Sequence, residues 1–223
     1  MKKLIIAAIS ATLFASVASA DITNVGIKLS SGNLAASGTE TTNSSTTVTQ
    51  TERDADFEMG SVFVERQIET NDKFNITIGL DYVPMTASVA SLTGGDGTDA
   101  KVSAGNLFTA YLQPTFIVND NVSVFGKVGY ASGDLEITNI SRQATAAATT
   151  DSASTDGAQD KTLEGTMYGI GAQINPVSGL IGFIRLEYTQ TDFDKISHTN
   201  SNSKKLTADA EMELITLSIG KSF

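Results

Sequence analysis

The sequence predicts an all-β protein: an eight-stranded antiparallel up-and-down transmembrane β-barrel. Three observations carry that prediction. After Ala20, apolar and polar residues alternate with a period of two, and no segment shows a convincing 3.6-residue period. Short turn-forming stretches and long polar stretches alternate strictly, four long and three short, which joins eight strands. No stretch after Ala20 approaches the roughly 20 apolar residues of a spanning helix, so any membrane crossing is made by strands.

The first element lies outside the barrel. "MKKLIIAAISATLFASVASA" has Lys2 and Lys3 in front, an apolar run from Leu4 to about Val17, and Ala18-Ser19-Ala20 at its close. This is the pattern of a secretory signal peptide, expected to be removed as residues 1–20 and to leave 21–223 as one barrel domain. The full chain carries 15 basic and 25 acidic residues; the leader holds two of the lysines and no acid, so the exported chain is more acidic still. Such a chain is a poor ligand for phosphate backbones, and nucleic acid is excluded as a partner. There is no cysteine, so closure rests on hydrogen bonds and packing alone.

The strands follow in order. The first offers Val25, Ile27 and Leu29 on one face, and the polar stretch Thr39–Asp56 follows it as a loop. The second offers Val62 and Val64 and is the weakest case, because Met59 and Phe63 fall on the opposite face. After the turn "TNDK" (Thr70–Lys73) the third strand runs from Phe74 to Tyr82, and the second long loop surrounds Ser91–Lys101. The fourth carries Phe108, Ala110, Leu112, Pro114, Phe116 and Val118 on one face; Pro114 lacks a ladder donor and is expected to mark a bulge. Past "NDN" (Asn119–Asn121) the fifth strand runs from Val122 to Tyr130, followed by the long stretch Asn139–Lys161. The sixth shows Tyr168, Ile170, Ala172 and Ile174, and "NPVSG" (Asn175–Gly179) turns into the seventh, Leu180 to Tyr188. Asp194–Lys205 is the last long loop, before the closing strand with Ile215, Leu217 and Ile219.

The three strands that leave short turns align on those turns. In each, a tyrosine (Tyr82, Tyr130, Tyr188) stands eight residues after the first apolar position and on the same face. Eight residues at roughly 3.3 Å and a tilt of about 40° climb about 20 Å, close to the ~25 Å apolar band of small barrels. Phe74, Tyr82, Tyr130, Tyr188 and Phe223 are therefore the expected interface aromatics. A soluble β-sandwich also alternates, with its apolar face as core; the loop lengths, the matched tyrosines and the terminal aromatic favour the barrel.

The opposite faces carry Lys28, Glu65, Asp81, Lys127, Arg185 and Glu187, three basic and three acidic, with Thr109, Tyr111, Gln113 and Gln173 among them. A barrel of eight strands is just wide enough for side chains to fill it. Charges enclosed there must pair, because an isolated one costs several kcal/mol. Two readings stay open: a neutral plug of paired charges, or a narrow polar pore that passes water or small solutes.

Other candidates for chemistry are thin. His198, the only histidine, lies near Asp192, Asp194, Ser197 and Ser201, the setting in which an outer-leaflet lipid enzyme would place a base, yet no nucleophile motif accompanies it. "YGIGAQ" around Gly169 and Gly171 lacks the third glycine of a dinucleotide loop and reads as close packing within a strand. The acids of "GGDGTDA" lack EF-hand spacing. Of the sequons at Asn43, Asn75, Asn121 and Asn139, Asn75 is expected to point into the barrel. No cofactor, metal or catalytic residue is expected.

The tail "ELITLSIGKSF", in which Ile215, Leu217 and Ile219 alternate toward the terminal Phe223, resembles the C-terminal assembly signal of bacterial outer-membrane proteins. With eight strands and long outward loops, the chain after Ala20 resembles the small Gram-negative barrels of the opacity-protein and OmpA/OmpX type. The resemblance implies residence in the outer membrane, contact with its lipid, and recognition by the barrel-assembly machinery through the C-terminal strand. It also implies a non-enzymatic role in envelope structure and surface interaction, with loops that meet extracellular partners. The long loops, rich in Thr, Ser, Asn, Ala and Gly, bury too little surface to order themselves.

Overall fold

The structure, a computed structural model, describes residues 22–41, 47–84, 87–93, 99–141, 155–156, 159–175, 181–199 and 205–223. Eight long strands form the wall: β1 (Ile22–Thr41), β2 (Thr47–Asn71), β3 (Phe74–Val83), β4 (Asp99–Asn119), β5 (Val122–Ser141), β6 (Gln159–Ile174), β7 (Phe183–Phe193) and β8 (Lys205–Ser222). Short strands at Ala87–Thr93, Thr155–Asp156 and Ile196–Thr199 belong to the long connections. Every neighbouring pair is antiparallel and follows chain order, and β1 pairs β8 to close the circle.

The closing seam is long. It runs in one register from Asn24↔Ser222 to Thr41↔Lys205, and beyond it Thr23 and Phe223 exchange backbone hydrogen bonds of 3.1 and 2.9 Å. No amide row is left open to hydrocarbon along this seam, which is the condition for a sheet to lie in lipid. Asparagines fix two of the tight turns: Asn71 Oδ1 accepts from the Lys73 N–H at 3.0 Å, and Asn119 Oδ1 accepts from the N–H groups of Asn121 and Val122, both at 3.0 Å.

The alternation sets the two faces. Ile27, Leu29, Leu112, Phe116, Val128, Ile170, Leu186, Ile215 and Leu217 are exposed on the outside although all are large and apolar. Their inward neighbours Lys28, Ser30, Tyr111, Gln113, Lys127, Arg185, Glu187, Thr216 and Ser218 are buried. Apolar outside and polar inside is the reverse of a soluble sandwich, and it identifies the outer wall as the membrane face.

Four expectations are corrected or fall elsewhere. The stretch Thr39–Asp56 is strand over most of its length, since β1 reaches Thr41 and β2 starts at Thr47; within the other two, strand covers 139–141, 155–156, 159–161, 196–199 and 205, while 142–154, 157–158 and 200–204 lie outside the described residues. Threonine is β-branched and neighbouring strands satisfy the backbone, so a polar composition does not prevent the ladder from continuing. Pro114 marks no bulge, since Leu112↔Val128 and Thr115↔Phe125 keep one register across it. The register shifts of this pair lie elsewhere, at Asp99/Lys101, Gly105/Phe108 and Ile117/Asn119; at the middle one Asn106 has φ 50° and its side chain bridges Tyr82 (3.1 Å) and Asp134 (3.0 Å). β7 starts at Phe183; Leu180, like residues 1–20 and most of "GGDGTDA", lies outside the described residues.

Candidate functional site

The barrel interior is built in tiers from the short-turn end upward. Next to the turns lie the buried polar residues Asn24, Asn75, Thr115 and Ser123, and above them come aromatic rings, each seated on a glycine of the adjacent strand. Phe63 faces Gly26, Tyr111 faces Gly79, Phe125 faces Gly171 and Phe183 faces Gly220, each as a direct cross-strand partner. A Cβ at any of these glycines would collide with the ring opposite. Glycine thus makes room for side chains that fill the narrow interior.

The charged tier rests among those rings. Arg185, 1% exposed, donates to both carboxylate oxygens of Glu65, from Nη1 at 2.6 Å and from Nη2 at 3.1 Å. Its Nη2 and Nε also reach Gln173 Oε1, at 2.8 and 3.2 Å, and Tyr111 donates its hydroxyl to Glu65 Oε1 at 2.6 Å. Lys28 bridges Asp81 (2.5 Å) and Glu187 (3.2 Å), and Lys127 pairs with the other oxygen of Glu187. The guanidinium carbon lies 4.9 Å from the Phe183 ring centroid and 5.2 Å from that of Phe125, while Lys127 Nζ stands 4.4 Å over Tyr111. Rings around each cation supply favourable quadrupole contacts where water is scarce. All six charged residues singled out in the sequence are thereby brought into one neutral cluster.

Above it, Ser30 and Thr216 share a 2.8 Å hydrogen bond, and a cavity of about 40 Å³ separates the charges from the next tier. That tier is mainly apolar, with Thr189 and Thr191 buried beside Leu214 and Met212. Ala131, Leu163, Phe193, Met212 and Leu214 form a buried cluster, with Phe57, Met59 and Leu107 packed against it. Sequence reasoning missed this cluster. Its signal was present in Met59, which seemed to weaken the second strand but points inward to join it.

The remaining expected positions are spread over the wall. Phe74, Tyr82 and Tyr130 are half-buried on the outer face and Tyr188 is exposed there; Tyr82 stacks on Phe108 at 4.3 Å, and Tyr188 donates to Glu213 at 2.9 Å. Ile215, Leu217 and Ile219 are exposed along β8, and Phe223 is 72% exposed. Asn75 is buried inside the barrel. His198 lies on the short strand Ile196–Thr199 opposite Leu206, away from the charged tier; its side chain, like Ser201, lies outside the described residues.

Comparison with solved structures gives similar chains. Ail, the attachment invasion locus protein of Yersinia pestis, is 14% identical, with 86% of this chain and 97% of that chain covered and a TM-score of 0.38. The outer membrane protease OmpT from Escherichia coli is 9% identical over 93% of this chain and 99% of that chain, with a TM-score of 0.47. OprG from Pseudomonas aeruginosa is 11% identical over 91% and 96%, with a TM-score of 0.37. Comparison with curated proteins gives no match. The family model described as "Outer membrane protein beta-barrel domain" matches residues 5–219, nearly the whole chain. Its greasy outer wall, filled interior and closed seam are those of a small barrel of the bacterial outer membrane, and the chain belongs to the outer membrane protein β-barrel domain family.

Proposed function

We propose that the protein is a sealed, non-enzymatic barrel that serves envelope structure and presents its strand-rich outer end to other surfaces. The observation that carries this reading is the double filling of the interior, by a neutral ion cluster and by an apolar cluster above it. Six charges that neutralise one another leave no net charge to draw an ion through, and an apolar constriction resists wetting. Residues 21–223 act as one unit once the leader is removed. Phe74, Tyr82, Tyr130, Tyr188 and Phe223 anchor the wall at its interfaces, and Ile215, Leu217, Ile219 and Phe223 present β8 to the assembly machinery.

Planar-bilayer recording of the refolded protein tests the seal. The expected result is a flat baseline. Steady openings that change when Arg185 or Glu187 is neutralised would establish the narrow-channel alternative instead. Lipid hydrolysis or acyl transfer that is lost in His198→Ala would overturn the non-enzymatic reading.

A further inference from the structure

The outer wall is not evenly ridged. A furrow of about 840 Å³ crosses it, within the size range of ligand pockets. It lies between two neighbouring rows of outward side chains, each running across the strands in the hydrogen-bonding direction. The lower row steps through cross-strand partners from Phe74 on β3 to Phe116, Val124, Ala172 and Leu186 on β7. The upper row starts at Pro114, which falls opposite Gly126 in the register that Leu112↔Val128 and Thr115↔Phe125 hold, and passes through Ile170 and Tyr188 to Ile215 on β8.

The sequence cuts this furrow. Gly126 has no side chain, and a Cβ built there would meet nothing nearer than the Gly169 carbonyl oxygen at 4.0 Å. Ala172 and the compact ring of Pro114 keep the floor low, while Phe116, Val124, Ile170 and Leu186 stand exposed at its sides. The outward side chains are apolar but for the Tyr188 hydroxyl, which donates to Glu213. Five strand steps of about 4.8 Å make the furrow roughly 24 Å long. Strands tilted by about 40° incline it so that it climbs about 15 Å, half of a ~30 Å hydrocarbon core and the depth of one leaflet. Its foot is Phe74, beside the turn Thr70–Lys73, and short turns of such barrels face the periplasm.

The furrow opens on the membrane face, so lipid is the material continuous with it. A second barrel would bring a convex wall that meets the ridges and misses the floor, whereas a single hydrocarbon chain touches the floor and both sides. Lipid tails are as apolar as leucine, so a chain gains here only by closer van der Waals contact.

We infer that the furrow from Phe74 to Ile215 lodges one acyl chain of a phospholipid of the periplasmic leaflet. The inference rests on the membrane face, and neither the seal nor the outer end enters it.

The probe is a phospholipid with a photoactivatable diazirine near the end of one acyl chain, mixed into vesicles that hold the full folded protein, with labelled residues mapped by peptide mass spectrometry. The expected result is labelling of 124–126 and 170–172 about fivefold or more above that of Ile27, Leu29 and Val62, which are exposed on the far wall. Gly126→Phe, checked for folding by heat-modifiable gel migration, fills the floor and removes the excess; Ala172→Leu, a milder filling, lowers it. Gly60→Phe sets the same ring on the open outer face of β2 and leaves the excess in place. Even labelling around the wall, or an excess that survives both fillings, would overturn the inference. A two-barrel species in native mass spectrometry that disappears in Gly126→Phe would assign the furrow to a second copy and overturn it as well.

Discussion

Replacing Arg185 by Met tests the charged tier most directly. The guanidinium is 1% exposed and holds Glu65, itself 0% exposed, through two hydrogen bonds. Arg185→Met keeps a flexible apolar stem among Phe63, Phe125 and Phe183 but removes the charge, leaving Glu65 with the Tyr111 hydroxyl as its remaining close donor. Orphaning one member of a buried pair costs about 3–5 kcal/mol. At 1.4 kcal/mol per tenfold, that is roughly two to four powers of ten in the folding equilibrium. The double variant Arg185→Met/Glu65→Gln removes the stranded charge and keeps an acceptor for Tyr111, so it should lie within about 1–2 kcal/mol of the parent. Urea titration in lipid vesicles measures both, with the folded fraction read from heat-modifiable gel migration, since the chain has no tryptophan to report by fluorescence. A single variant that loses less than about 1 kcal/mol, or a double variant as damaged as the single, would refute the view of a dry, mutually dependent pair.

Three further outcomes follow from the same geometry. Glu187→Gln alone should leave the bilayer baseline flat because the apolar tier still closes the bore; adding Met212→Ser and Leu214→Ser should open it, and channels from Glu187→Gln by itself would count against the apolar tier as a barrier. Gly171→Val should drive the Phe125 ring from its seat and cost about 1–3 kcal/mol in the vesicle titration, whereas Gly126→Val, where a Cβ meets only the Gly169 carbonyl oxygen at 4.0 Å, should cost less than about 1 kcal/mol. Leu186→Arg, on the exposed outer face, should cost about 2–4 kcal/mol in vesicles if it sits near the bilayer midplane, and an unchanged urea midpoint would move that face out of the hydrocarbon.

Much of the wall was legible because a strand writes its two faces into alternate positions. Ile76, Ile78 and Leu80 declare an outer face, and Asn75, Thr77 and Asp81 an inner one, whatever the neighbouring strands do. The six lumen charges could be named for the same reason. Their partners could not, because Lys28 meets Glu187 across the closing seam at a separation of 159 residues and register is not written in either strand. The apolar cluster escaped because inward Met212 and Leu214 look, in sequence, like lipid-facing residues of the other parity. The extent of the outer strands escaped because composition describes what a segment can bury, not whether a neighbour is present to take its hydrogen bonds.

Lys28, Glu65, Lys127, Arg185 and Glu187 of the ion cluster are buried, while Asp54, Asp56, Glu58, Asp192 and Asp209 stand in solvent on the outer end. Dissolved electrolyte screens only what it can approach. Salt in the surrounding medium is therefore expected to weigh far more on the outer carboxylates than on the inner cluster, so that the two sets of charges answer differently when the medium changes.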